Sequence, residues 1–393
     1  VSLASSIVHA NVAHSGGGGG GGGGLSLLAN ARAAVAEGSQ VANNTSWRVG
    51  GGVELWGNAT LNITGRCSVH GNAANDSGGG VFAGEGAVVS ITDSSVSGNM
   101  ANITGGGLCI WGNAAVNITG ASSIHGNTAN ASGGGVYAGN GASVSIAGSS
   151  VHGNAANNSG GGVCADDNAT VSLASSIVHA NVAHSGGGGG GLSLLANARA
   201  DVAAGSQVGN NTSWRVGGGA ELWGNATLNI SSSSVTGNTA NGSGGGEFAG
   251  EKAVVSITDS SVSGNMANST GGGLCIWGNA AVNITGASSI HGNTANASGG
   301  GVYAGNGASV SIAGSSMSGN MANSTGGGLS LWGNATLNIS SSSVTGNTAN
   351  DSGGGVYTAD AAVVAIVDSN VTGNAANVSG GGVCADDTAT VSL

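Results

Sequence analysis

The sequence predicts an all-β fold, a single-stranded parallel β-helix (a solenoid) of about fourteen coils of 27–28 residues, with three short strands per coil. Three observations predict it. A glycine run followed by an aliphatic residue recurs along the chain, apolar and polar residues alternate between these runs, and the chain has 82 glycines and no proline. A constant repeat of this length is typical of solenoids, in which each coil packs only against its neighbours.

The repeat covers residues 1–393 without insertions. The residues that follow the glycine runs are 27 to 29 positions apart. They are Leu25, Val53, Val81, Leu108, Val136, Val163, Leu192, Ala220, Glu247, Leu274, Val302, Leu329, Val356 and Val383. The chain opens with Val1-Ser2-Leu3 and closes with Val391-Ser392-Leu393, at the same position of the coil. We therefore expect one continuous β-helix array that is a segment of a longer repeat protein or a module that stacks end to end.

Within one coil, short alternations of apolar and polar residues predict the strands. Val136–Ala138 comes first, Val144–Ala147 second, and a third strand begins at Ser150. β-Branched residues at every second position, interrupted by Gly, Asn and Ser, are typical of strands and turns. Neighbouring coils would pair about 4.8 Å apart. Glycine suits the sharp corners, and the absence of proline fits a ladder that needs every backbone N–H.

Composition and charge argue against several classes of function. The net charge of −11, with Lys252 as the single lysine, argues against binding of nucleic acid or anionic membrane. No apolar run is long enough to span a bilayer. The 17 acidic residues are spread along the coils and do not converge on a groove, so neither catalysis nor a cofactor is expected. His125, His152 and His179 share one position in successive coils, but no carboxylate or cysteine completes a metal site there.

Two smaller features leave alternatives open. The five cysteines are an odd number and imply no disulfide framework, so interchain bridges and free, half-buried thiols both remain open. Glu247 stands where other coils have an aliphatic residue, and Lys252 follows closely, which leaves a local ion pair open.

The aromatic residues show a second period. Coils with Trp-Gly-Asn, as at Trp56, alternate with coils that carry Phe or Tyr followed by a small residue, as at Phe82. Because inward residues flank these positions, the rings are expected to face outward as an exposed contact stripe for a protein or for stacked sugars. The alternative is that the rings stack between neighbouring coils. The predicted stripe comprises Trp56, Phe82, Trp111, Tyr137, Trp223, Phe248, Trp277, Tyr303, Trp332 and Tyr357.

The motif Asn-x-Ser/Thr, the acceptor for N-linked glycans, occurs 24 times. Asn62 and its equivalents lie between two inward aliphatic residues, mostly on alternate coils. That spacing is about 10 Å and leaves room for a sugar at each position. The predicted glycosylation sites are Asn62, Asn117, Asn229, Asn283, Asn338, Asn58, Asn225 and Asn334.

A different set of asparagines follows the motif Val-x-x-Asn and is almost never part of a glycan acceptor. We expect these side chains to form a stacked amide ladder at one corner, each bonding to the coil above and below. The set includes Asn72, Asn99, Asn127, Asn154, Asn265 and Asn374. The prediction is structural, with no ligand role.

The paired motifs resemble those of the chlamydial polymorphic outer-membrane protein repeats. That family alternates Gly-Gly-Ala-aliphatic with Phe-x-x-Asn, and the counterparts here are Gly78–Val81 and Val96–Asn99, with Gly for Ala and Val for Phe. The resemblance covers nearly the whole chain and implies a right-handed β-helix. The Gly/Ala bias and the density of glycan acceptors also resemble secreted repeat proteins of green algae, such as the axial fibre protein of flagellar mastigonemes.

Together these patterns favour a structural protein that forms the stiff core of an extracellular, glycosylated fibre or cell-surface appendage by end-to-end continuation of the β-helix. The expected partners are further copies of the chain, a sheath glycoprotein and N-linked glycans. The alternative is a cell-surface adhesin or carbohydrate-binding stalk that uses the aromatic stripe.

Overall fold

The computed structural model describes residues 1–14, 21–184 and 186–393. Every regular element in these ranges is a β-strand, and the chain forms a parallel β-solenoid of about fourteen turns. Contacts divide it into two compact units, Val1–Ala200 (unit 1) and Asp201–Leu393 (unit 2). None of the described residues forms a helix long and apolar enough to cross a membrane.

Each complete coil contributes one strand to each of four parallel sheets, named A to D in chain order. Sheet A contains Ser2–Ala4, Arg32–Ala36, Thr60–Thr64, Val88–Thr92, Ala115–Thr119, Ser143–Ala147 and Thr170–Ala174 in unit 1, Arg199–Ala203 at the boundary, and Thr227–Ser231, Val254–Thr258, Ala281–Thr285, Ser309–Ala313, Thr336–Ser340, Val363–Val367 and Thr390–Ser392 in unit 2. Sheet B contains Ile7–His9, Gln40–Ala42, Ser68–His70, Ser95–Ser97, Ser123–His125, Ser150–His152 and Ile177–His179, then Gln207–Gly209, Ser234–Thr236, Ser261–Ser263, Ser289–His291, Ser316–Ser318, Ser343–Thr345 and Asn370–Thr372.

Sheets C and D complete each coil. Sheet C contains Val12–Ala13, Thr45–Ser46, Ala73–Ala74, Met100–Ala101, Thr128–Ala129, Ala155–Ala156 and Val182–Ala183, then Thr212–Ser213, Thr239–Ala240, Met266–Ala267, Thr294–Ala295, Met321–Ala322, Thr348–Ala349 and Ala375–Ala376. Sheet D contains Leu25–Leu27, Val53–Leu55, Val81–Ala83, Leu108–Trp111, Val136–Gly139, Val163–Ala165 and Leu192–Leu194, then Ala220–Leu222, Glu247–Ala249, Leu274–Trp277, Val302–Gly305, Leu329–Leu331, Val356–Thr358 and Val383–Ala385.

The predicted all-β parallel solenoid is confirmed, but each coil has four strands where three were expected. The additional strand is the two-residue strand of sheet C. Gly126, at φ 62°, turns the chain after sheet B, and the Thr128 N–H then donates to the Asn99 carbonyl at 2.9 Å. A two-residue strand is too short to show an alternation in sequence, so the pattern could not reveal it.

The core is a set of aliphatic columns that run through the stacked coils. Ile91 lies opposite Ile63 and Ile118 on the neighbouring strands of sheet A, and all three side chains are fully buried. Each such burial contributes about 1.5–3 kcal/mol. At the corner before sheet D the backbone itself is packed, because a Cβ on Gly106 would collide with the carbonyl oxygens of Gly134 and Thr128. The glycine runs are therefore required by the close approach of neighbouring coils.

Candidate functional site

The predicted glycosylation sites lie on sheet A and on the turn that precedes it. Asn62 is the middle residue of its strand and is exposed, whereas Leu61 and Ile63 beside it are fully buried. In register, Ser90 separates Asn62 from Asn117, so the two asparagines are two coils apart, about 10 Å. All eight predicted asparagines have exposed side chains: Asn58, Asn62, Asn117, Asn225, Asn229, Asn283, Asn334 and Asn338.

The Val-x-x-Asn asparagines form a buried row at the corner between sheets B and C. The backbone N–H and the side-chain Nδ2 of Asn99 both donate to Oδ1 of Asn127, at 3.0 and 2.9 Å. The same Nδ2 also donates to the Val69 carbonyl at 3.0 Å. Each buried amide is thus satisfied by the coils on either side of it, as buried polar groups require. All six predicted asparagines lie in this row: Asn72, Asn99, Asn127 and Asn154 in unit 1, Asn265 and Asn374 in unit 2.

The same row includes further asparagines that follow an apolar residue by three positions. They are Asn44 and Asn181 in unit 1, and Asn211, Asn238, Asn293, Asn320 and Asn347 in unit 2. Asn44 and Asn211 carry the glycan-acceptor motif, yet both are fully buried. The motif alone therefore does not mark an accessible side chain.

A second asparagine row runs along the surface, three residues beyond the buried row. Asn130 Nδ2 donates to Oδ1 of Asn102 at 3.3 Å, and Asn296 Nδ2 donates to Oδ1 of Asn268 at 3.0 Å. These residues are glycan acceptors by motif, and they are exposed. Consecutive members lie on adjacent coils, only about 4.8 Å apart, which is too close for a branched glycan on each.

The aromatic residues do not form the exposed stripe expected from the sequence. Phe82, Tyr137, Phe248 and Tyr357 are buried, with 5–8% of their surface exposed. Of the other residues of the predicted stripe, Tyr303, Trp56, Trp223 and Trp332 are half-buried, and Trp111 and Trp277 are exposed, each at 39%.

Ring packing between coils explains this burial. The Trp56 and Phe82 centroids lie 5.0 Å apart, and those of Trp111 and Tyr137 lie 6.2 Å apart with nearly parallel planes. The pairs Trp223–Phe248, Trp277–Tyr303 and Trp332–Tyr357 repeat this arrangement in unit 2. On the outer face of sheet D in unit 1, half-buried Trp56 packs against a buried cluster that includes Val49, Phe82 and Tyr137. Sheet D is thus covered on its outer face as well as on its inner one.

A groove of about 340 Å³ opens beside this cluster in unit 1. Its aromatic walls are Trp56, Phe82 and Trp111, and its polar lining includes Arg48 and Asp76. The Asp76 carboxylate accepts a hydrogen bond from Ser77 Oγ at 2.9 Å, and Ser77 Oγ lies 3.0 Å from Thr104 Oγ1. Nothing in the sequence identified Arg48 and Asp76 beforehand, because stacking brings them together from separate coils.

Cys109 forms part of the floor of this groove and is not a nucleophile there. Burial raises the pKa of its thiol to about 12, against a smaller lowering by the Thr104 hydroxyl. A thiol with that pKa stays protonated at neutral pH and is unreactive. None of the five cysteines, all of which lie in the described part of the chain, forms a disulfide bond.

The three histidines predicted to share one position do stack. The rings of His125 and His152 lie 5.0 Å apart, as do those of His152 and His179, with planes within 7° of parallel. Burial lowers the pKa of His152, and the neighbouring His125 and His179 lower it further. Among the described residues, no group of three or more His, Cys, Asp and Glu side chains is arranged to hold a metal ion.

The Glu247–Lys252 ion pair, left open by the sequence, does not form. Glu247 faces the core between Ala220 and Leu274 of the neighbouring strands, is 1% exposed, and neither carboxylate oxygen has a hydrogen-bond partner. Burial alone raises its pKa to about 8. The side chain is therefore neutral at neutral pH, since the low-polarity interior disfavours the charged form.

Comparison with protein-family profiles gave no match for the chain. No curated protein matched it. Among solved structures, the chain is similar to the crystal structure of a hyper-glycosylated fragment of TibA, residues 55–350, whose glycosylation is catalysed by TibC. The two are 15% identical, the match covers 94% of this chain and 100% of that chain, and the TM-score is 0.24. A likeness at this level carries no information about function.

Proposed function

We propose that the chain is a structural protein that forms the stiff core of an extracellular, N-glycosylated fibre or cell-surface appendage by end-to-end continuation of its β-helix. The observation that carries the proposal is the buried asparagine row. In each unit it connects successive coils by side-chain amide hydrogen bonds, in addition to four backbone ladders. Coils held in this way resist bending and shear, because any displacement breaks several buried hydrogen bonds together.

The outer surface supports the glycosylated part of the proposal. Sheet A presents asparagines of the acceptor motif mostly on alternate coils, as at Asn62, Asn117 and Asn283, with small Ser90 or Ser256 on neighbouring coils. Glycans on this sheet would surround the core and contact a sheath glycoprotein. Such a role corresponds to the one implied by the resemblance to the axial fibre protein of green-algal mastigonemes.

The glycan part is tested by site-resolved glycopeptide mapping of the native protein. We expect glycans at Asn62, Asn117 and Asn283, which are exposed and two coils from the next acceptor on the sheet. Asn44 and Asn211 are matched controls, because they carry the same motif but are fully buried. Glycans on the two controls, or none on sheet A, would contradict this arrangement.

The fibre part is tested by electron microscopy of the native material with an antibody against the chain. Long labelled filaments are expected. Separate particles of the size of a single chain would contradict the fibre and favour a monomeric adhesin or stalk.

A further inference from the structure

The groove beside Trp111 has the features of a ligand site and not of a packing defect. Its volume of about 340 Å³ lies in the range of small-ligand pockets. One wall is the indole of Trp111, which is 39% exposed although the partner aromatics beside it are buried. The Trp56 indole N–H donates to Glu54 at 2.7 Å. Among the described residues, no acceptor is found for the indole N–H of Trp111, because Cys109 replaces the glutamate two positions before it.

The same arrangement occurs a second time, in unit 2. Trp277 is also 39% exposed, and its ring lies 6.2 Å from Tyr303, as Trp111 lies 6.2 Å from Tyr137. Thr270 lies 3.7 Å from the thiol of Cys275, matching Thr104 and Cys109. Arg215 stands in the place of Arg48, while Gly242 replaces Asp76.

We propose that the groove of unit 1 and the equivalent residues of unit 2 each bind a pyranose ring of a glycan. An open groove with indole walls suits a ligand that has an apolar C–H face. The guanidinium of Arg48, the carboxylate of Asp76 and the indole N–H of Trp111 suit a ligand whose edge carries hydroxyl groups that both donate and accept. A purely apolar ligand would leave these polar groups without partners, and a charged ligand would meet both signs of charge. The inference does not depend on the fibre-forming role.

Two sources can supply the ring. One is a glycan of another molecule. The other is a glycan of the chain itself, because the acceptor Asn75 directly precedes Asp76, and Asn241 has the same place in unit 2. The chemistry recognised is the same in both cases.

The test is isothermal titration calorimetry on the full chain produced without glycans, with cellopentaose, mannopentaose and galactopentaose as probes. At least one probe should bind saturably at two sites, with the unit 1 site tighter. The double variant W111A/W277A should weaken binding at least tenfold. W47A/W214A should not, because Trp47 is exposed and lies outside the lining of the unit 1 groove, and Trp214 is its equivalent in unit 2. D76G should weaken only the tighter site, about tenfold, as expected for one lost hydrogen bond to a charged group.

If W111A/W277A lowers the melting temperature, the variant W111F/W277F is used in its place. It keeps the ring packing but removes the indole N–H, and it should also bind the probe more weakly. No saturable binding of any probe tighter than about 1 mM would overturn the proposal. Unchanged affinity in the tryptophan variants would overturn it as well. Titration of the glycosylated protein then separates the two sources. If the glycosylated chain does not bind the probe but its N75Q/N241Q variant does, the groove is occupied by the chain's own glycans. If the glycosylated chain binds the probe with undiminished affinity, the groove accepts a glycan of another molecule.

Discussion

The indole of Trp56 lies directly over Gly84, so that a Cβ on Gly84 would be 2.6 Å from Cζ3 of the ring. Gly139 and Gly305 stand in the same relation to Trp111 and Trp277. Four of the five coils with tryptophan at this position are followed by a coil with glycine there, whereas Trp332 is followed by Ala359. The close fit gives a physical reason for the pairing of the two coil types at those four places.

The first prediction concerns this fit. Gly84→Ala should lower the free energy of unfolding by about 1–3 kcal/mol, because the added methyl has no space beneath the ring. In the background of Trp56→Ala the same substitution should lower the free energy of unfolding by much less. The measurement is a double-mutant cycle by chemical denaturation. An equal cost in both backgrounds would show that the ring is not the reason for the glycine.

The second prediction concerns the buried asparagine row. Asn127→Ala leaves the backbone N–H of Asn99 and one of its two side-chain N–H groups buried without an acceptor, while the other still donates to the Val69 carbonyl. The free energy of unfolding should fall by about 3 kcal/mol, since each buried donor left without an acceptor costs about 1–3 kcal/mol. Asn130→Ala, three residues away in the exposed row, is the control and should change stability by less than about 0.5 kcal/mol. Equal effects of the two substitutions in thermal or urea unfolding would refute the structural importance of the buried row.

The third prediction concerns Glu247, whose pKa is about 8 in the folded chain and about 4.3 in an unfolded one. Both states bind the proton below about pH 4, and only the folded state holds it between these values. Stability should therefore fall as pH rises from about 5 to 8, by at most about 1.4 kcal/mol per pH unit, and level off above that. Glu247→Gln should remove this component, whereas exposed Glu85→Gln should leave it unchanged. The measurement is the melting temperature of each variant from pH 5 to 9. An identical pH profile for Glu247→Gln and the unmodified chain would contradict the burial of this group.

The fourth prediction concerns the stacked histidines. The lowered pKa of His152 arises from burial and from His125 and His179, so the stack should lose stability as pH falls below about 6.5. Replacing His125 and His179 by serine should raise the pKa of His152. Serine suits this position, because Ser97 and Ser263 occupy it in other coils. Proton NMR titration of the His152 ring is the measurement. An unchanged pKa in the double variant would show that its neighbours do not influence it.

The sequence predicted the coil and its stacking because these depend on local periods. Alternating residues such as Val89 and Ile91 mark the inward face, and the constant interval aligns them with Leu61 and Ile63 of the adjacent coil. The buried asparagine row could be predicted for the same reason. The sequence left open whether Phe82 is exposed or stacked between coils, because its burial depends on residues of other coils, Val49 and Trp56, that cover the outer face of sheet D. The groove between Arg48, Asp76 and Trp111 could not be predicted from the sequence, because its lining residues come from different coils.

If coils stack from one chain to the next along a fibre, diffraction from aligned native fibres should show a reflection along the fibre axis at about 4.8 Å, the spacing between paired strands that lie across the axis. The absence of this reflection, or its appearance perpendicular to the axis, would rule out a β-helix that runs along the fibre.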